Sequence, residues 1–203
     1  ETEILLYYGK PSPYNVAQEI YIDMIPVTDY ITSGVWQIIL NPTRVVEGQY
    51  DLWLPSENVL NRGTGFLYPD EEVTLTIPST ADKVISVGAY DALTFSYASF
   101  SGRGYTWQDE RTKPDLVAPG VNVRTTAVGG GVTVVSGTSF ATPFVTGASA
   151  LLMEWGIVRG NDPFLYGEKV KAYLRRGARE LPGFGKYPNR EVGYGEDVII
   201  RLH

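Results

Sequence analysis

The chain of 203 residues contains no cysteine, and its one histidine, His203, is the last residue. With no thiol there is no disulfide, no cysteine nucleophile and no cysteine-ligated zinc. An excess of basic charge is also lacking: 17 Lys and Arg stand against 23 Asp and Glu, for a net charge of −6. The basic patch that nucleic-acid binding requires is therefore not expected. No apolar run approaches the length of a membrane span, and the first residues carry no signal-peptide pattern. The glycine run Val128-Gly129-Gly130-Gly131-Val132 lacks the Lys-Ser/Thr of a phosphate loop and reads as a hairpin turn. Nothing in the sequence asks for a cofactor or a metal.

What is present divides in two. Over residues 1–75, five short runs rich in Ile, Val, Leu, Tyr and Trp are separated by Pro, Gly, Asn and Ser. They are Thr2 to Tyr8, Glu19 to Ile25, Val35 to Leu40, Gln49 to Leu54 and Glu72 to Ile77. Short strands with no helical stretch between them predict a β-sandwich or jelly roll. Residues 76–203 change character, and the sharpest segment is Gly137-Thr138-Ser139-Phe140-Ala141-Thr142-Pro143 leading into a small-residue stretch. Ala141, Phe144, Val145, Ala148, Leu151, Leu152 and Trp155 recur at helical intervals and predict one apolar face. Thr138 is the expected N-cap, which places Ser139 in the first turn, where backbone N–H groups are unpaired and the helix dipole is positive. A serine nucleophile needs such an environment plus a general base, because its free hydroxyl is too weakly acidic to attack a peptide at neutral pH. Asp162-Pro163 is expected to open a second helix, with Val170, Tyr173, Leu174 and Gly177 inward and Lys169, Lys171, Arg175 and Arg176 on a solvated face.

These residues resemble a family. G-T-S-x-A-x-P followed by a small-residue helix is similar to the nucleophile motif of the subtilisin-like serine proteases, the subtilases. Lys113-Pro114-Asp115-Leu116-Val117-Ala118-Pro119-Gly120 resembles their P-D-[LIV]-x-A-P-G segment. Val84-Ile85-Ser86-Val87-Gly88-Ala89 and Ala98-Ser99-Phe100-Ser101-Gly102-Arg103-Gly104 resemble V-I-x-V-G-A and A-S-F-S-x-x-G, and Gly193-Tyr194-Gly195 the closing G-x-G. The resemblance implies an α/β subtilisin-like fold over residues 76–203, cut as the C-terminal part of a catalytic domain. Residues 1–75 then resemble the jelly-roll insertion of the Csp-type subtilases of spore-forming clostridia, which points to an extracellular or spore-associated bacterial protein.

The resemblance further implies a serine endopeptidase. Ser139 is its nucleophile, and Gly137, Thr138 and Phe140 line the substrate and oxyanion pocket. The family's Asp, His and oxyanion Asn motifs are missing, so they are expected from an N-terminal part, and this piece alone should be inactive. The expected partners are that N-terminal part and a peptide or protein substrate, with no nucleic acid and no membrane. Alternatives are a pseudoprotease that regulates by binding, a carbohydrate- or protein-binding module in residues 1–75, and a local triad of Ser139, Asp162 or Asp197, and His203 in the chain order of α/β-hydrolases. Asp115, although it invites a triad role, occupies a structural position in the family.

Overall fold

In a computed structural model, residues 1–13, 17–45, 48–55, 59–104 and 112–197 are described. The chain forms two compact units, Glu1–Leu60 and Asn61–His203.

In the first unit, β1 (Thr2–Gly9) and β2 (Glu19–Pro26) form an antiparallel ribbon in which Tyr7 faces Tyr21 and Leu5 faces Asp23. Period-two alternation puts Ile4, Leu6, Tyr8, Ile20, Ile22 and Met24 on one face and Glu3, Leu5, Tyr7, Glu19, Tyr21, Asp23 and Ile25 on the other. Thr2 Oγ1 accepts the Thr32 N–H at 2.8 Å, and the Trp36 indole N–H donates to the Thr32 carbonyl at 3.1 Å. The other expected strands in 1–75 are corrected: Val35–Leu40, Gln49–Leu54 and Glu72–Ile77 form no ladder. A β-rich sequence becomes a strand only when a neighbour pairs its backbone and covers one face. Val35 is 82% exposed and Ile39 69%, so no such neighbour is in place. Around Glu72 the backbone docks instead on Arg103, with Thr74 N–H donating to the Arg103 carbonyl at 2.9 Å.

The second unit is built on β3 (Val87–Asp91), with the short antiparallel β4 (Ser96–Tyr97) on one side and the parallel β5 (Leu116–Pro119) on the other. The paired parallel strands β3 and β5 are buried on both faces, which is why they read as largely apolar runs. Alternation sends Leu116 and Ala118, with Ala89, toward the helices, and Val117 and Tyr90 toward Leu181 and Val192. After β5 come the hairpin β6 (Val123–Thr126) and β7 (Val132–Val135), turned by Gly129, Gly130 and Gly131, all with positive φ. α1 (Thr138–Met153) packs on β3 and β5, runs on as one π-helical turn over Glu154–Val158, and is flanked by α2 (Gly167–Gly177).

α1 departs from expectation at three points. Thr138 is its first helical residue, not its cap; Gly137 takes the cap position and no side chain bonds there. The core takes up Ala141, Val145, Ala148 and Leu152, with Trp155 partly buried, whereas Phe144 and Leu151 are exposed. Among the described residues no element covers that side of the helix. By length and composition alone the 21 residues Thr138–Val158 are apolar enough to cross a membrane, a longer apolar stretch than the sequence reading allowed, and a core helix passes the same test. Its buried face here meets the sheet.

α2 also differs: it begins at Gly167, with Tyr166 at the cap, so Asp162-Pro163 does not open it. Leu165 N–H bonds the Asp162 carbonyl at 3.1 Å, and the Leu165 side chain is buried in the core, which holds residues 162–165 as a turn. Its inner face is Val170, Lys171 and Leu174, while Tyr173 and Gly177 are exposed.

Burial holds the phenols of Tyr90, Tyr97 and Tyr187 protonated past the ordinary tyrosine range, with Glu196 adding to the effect at Tyr90. Above the unfolded value of 10.0 the unfolded chain loses protons that the folded chain keeps, so this contribution is whole below that pH and is lost as pH rises. Denaturant midpoints should therefore fall steeply in alkali, and Tyr90→Phe should flatten the fall; a midpoint series with phenolate absorbance checks both.

Candidate active site

β5 ends at Pro119, and Gly120 turns the chain directly against the start of α1. Gly137 N–H donates to the Gly120 carbonyl at 2.8 Å, and a Cβ on Gly120 would lie 2.5 Å from Ala89 Cβ and 3.4 Å from Ala141 Cβ. Only glycine lets strand and helix approach this closely. Gly120→Ala should cost about 1–3 kcal/mol by overpacking, seen as a lower thermal midpoint. Sequence reading placed Gly120 in a motif without recognising this seat, because the contact joins positions far apart in the chain.

Gly137 itself has φ 152° and ψ 157°, a region essentially restricted to glycine. The reversal brings Ser139 to the second position of α1 with its side chain exposed, on a turn whose N–H groups have no carbonyl four residues back. The Phe140 N–H bonds the Gly137 carbonyl at 3.1 Å, and the Phe140 ring lies over Gly137, 3.4 Å from where its Cβ would be. Thr138 is half-buried, its carbonyl accepting the Thr142 hydroxyl at 3.0 Å. Gly137, Thr138, Ser139 and Phe140 thus form one short surface at the mouth of the helix. Among the described residues, no group of three or more His, Cys, Asp or Glu side chains gathers to hold a metal.

Among the described residues, Asp162 is not brought to Ser139. Asp162 lies beyond the far end of α1, about 25 Å from Ser139 at 1.5 Å per residue, and pairs with Lys169 at 2.6 Å. Asp197 lies beside β5, its N–H bonded to the Val117 carbonyl at 3.0 Å. His203 lies outside the described residues.

Asp115 precedes β5, at the end of the strand away from Ser139, and is fully buried. Its Oδ2 accepts the Ser86 N–H at 2.7 Å and the Lys113 Nζ at 3.0 Å; its Oδ1 lies 3.2 Å from Lys171 Nζ and accepts from Arg175. The Arg175 guanidinium also sits 5.0 Å from the centre of the Tyr194 ring. Two of the four basic residues assigned to a solvated face are therefore turned inward, a correction whose cause is this carboxylate. Lys171 and Arg175, one helical turn apart, meet it together. Burial lowers the Lys113 ammonium from its ordinary value, against the opposing pull of Asp115. The cluster ties the segment before β3, the entry to β5 and α2 into one frame, so its work is structural.

A serine on the first turn of a core helix, seated by glycines against the C-terminal end of a parallel strand, is the nucleophile geometry of an α/β serine hydrolase. The sequence pattern of the subtilase family matches residues 67–195, and the chain belongs to that family. Over 98% of this chain and 41% of the other, it resembles the Clostridium perfringens CspB protease, at 45% identity and a TM-score of 0.86. The prenylagaramide maturation protease PagA aligns over 64% of this chain and 45% of its own, at 32% identity and a TM-score of 0.53. Among curated proteins, the mouse membrane-bound transcription factor site-1 protease is 37% identical over 135 residues, 64% of this chain and 12% of that protein. Serine protease AprX of Bacillus subtilis is 34% identical over 129 residues, 54% of this chain and 27% of that protein. The chain thus spans less than half the length of each of these relatives.

Proposed function

We propose that this chain is the nucleophile-bearing part of a serine endopeptidase, with Ser139 as nucleophile. The observation that carries the reading is the exposed Ser139 hydroxyl on the open first turn of α1, behind Gly137. Ser139 Oγ adds to the scissile carbonyl carbon and its proton passes to a histidine oriented by an aspartate. The oxyanion is held by the Ser139 N–H and an Asn side chain; its collapse breaks the C–N bond as the histidine gives the proton to the leaving amine, and water, deprotonated by the same histidine, then hydrolyses the acyl-enzyme. The Asp, His and Asn come from a part of the catalytic domain absent from these 203 residues, which alone have no base for Ser139 and are inactive. Gly137 and Thr138 line the oxyanion side and Phe140 the leaving-group side. The exposed Phe144 and Leu151 support the reading, since they suit a face covered by that missing part. Residues 1–75 form a jelly-roll insertion whose remaining pairing partners lie in the assembled protein, and residues 76–203 the catalytic part. The substrate is a peptide or protein.

The test is fluorophosphonate labelling of the assembled protein, with mass spectrometry of the peptide bearing Ser139. An adduct there, absent from this chain alone, supports a triad completed in the whole protein. No adduct on a folded whole protein overturns the reading in favour of a pseudoprotease that acts by binding.

A further inference from the structure

The β1–β2 ribbon carries a feature that peptide hydrolysis does not use. On the face opposite Ile4, Leu6, Ile22 and Met24, the rings of Tyr7 and Tyr21 stand 5.9 Å apart at 50° to one another, and each residue is 56% exposed. They open into a cleft of about 570 Å³, whose lining includes Glu19 and Asp23 and, among the described residues, no lysine or arginine. On β2 the two carboxylates flank Tyr21 at i−2 and i+2, which puts both on the tyrosine face. The tyrosine face also carries the half-buried Leu5 and Ile25, and the Tyr7 and Tyr21 rings stand open to solvent beside them.

Charge and ring geometry select the ligand. Two anionic groups beside two π-faces form a site for an organic cation, which gains ion pairing at the carboxylates and cation–π attraction at the rings. A sugar ring prefers a flat platform, and rings inclined at 50° do not make one. The cleft is larger than a single side chain. We propose that it binds a basic peptide segment, a lysine or arginine side chain lying between Tyr7 and Tyr21 and pairing with Glu19 or Asp23. The inference does not depend on Ser139, because the ribbon lies in the other unit.

The experiment is fluorescence anisotropy of a labelled hexa-arginine peptide titrated with the full chain carrying Ser139→Ala, so that no cleavage confuses the signal. Saturable binding that weakens with added salt is expected. The isosteric pair Glu19→Gln and Asp23→Asn should weaken it by about tenfold or more, and Tyr21→Ala by about fivefold. Circular dichroism confirms that the variants keep their fold, and the amide pair preserves the proposal's test if Tyr21→Ala unfolds the ribbon. A charge-matched pair in the other unit, Glu168→Gln with Glu180→Gln, should leave binding unchanged. The proposal is overturned if hexa-arginine does not bind, or if both pairs weaken it equally, since that is attraction to the net negative charge alone. It is also overturned if a neutral chitin oligomer binds more tightly than the peptide.

Discussion

Ser139→Ala should reduce the peptidase kcat of the assembled subtilase domain by about a millionfold, the loss known for subtilisin itself when its nucleophile is removed. The size of the effect follows from what the hydroxyl does. Without Oγ there is no acyl-enzyme, and the oxyanion donors are left to act on water alone. Stability should hardly change, within about 0.5 kcal/mol, because the side chain is exposed and its removal opens no cavity. A peptide-hydrolysis assay paired with thermal unfolding separates the two quantities. Activity retained by a folded Ser139→Ala protein would move the nucleophile elsewhere.

The largest stability effect should come from Asp115. Its carboxylate is fully buried and is the shared partner of Lys113, Lys171 and Arg175. Asp115→Asn keeps the shape and an acceptor for the Ser86 N–H but removes the negative charge that contacts all three cations. Removing one member of a buried ionic cluster costs about 3–5 kcal/mol, because the charges left behind are neither solvated nor compensated. Asp115→Ala should do worse, since it also orphans the Ser86 N–H. Urea midpoints would read the difference, and a shift below about 0.5 kcal/mol would show that the frame does not rest on this charge. Activity should fall only through loss of fold, as Asp115 stands at the far end of β5 from Ser139.

These two residues mark different limits of what can be read from the chain. Ser139 was legible as the candidate nucleophile because everything that places it on the first turn of α1 is local. Gly137 before it, the small residues after it and the helical spacing from Ala141 to Leu152 all fall within one turn-and-helix segment. The glycine hairpin at 129–131 was legible for the same reason. Lys171 and Arg175 were misread because a basic run on a helix is ordinarily solvated, and only a carboxylate some sixty positions earlier turns these two inward. Gly120 was quoted in a motif, yet its role depends on Ala89 and Ala141, which no local pattern connects to it. The strands expected at Val35–Leu40, Gln49–Leu54 and Glu72–Ile77 were overcalled, since β-propensity states a willingness to pair and not a partner.

By itself, then, the sequence determined the family and singled out Ser139 as the candidate nucleophile, because each is a statement about which side chains occur in what order. Tertiary structure alone decided which glycine caps α1, which face of that helix is covered, and which cations surround Asp115. The physical reason is that burial and charge pairing are properties of surfaces brought together from distant segments, and their energies exist only once the chain has closed on itself.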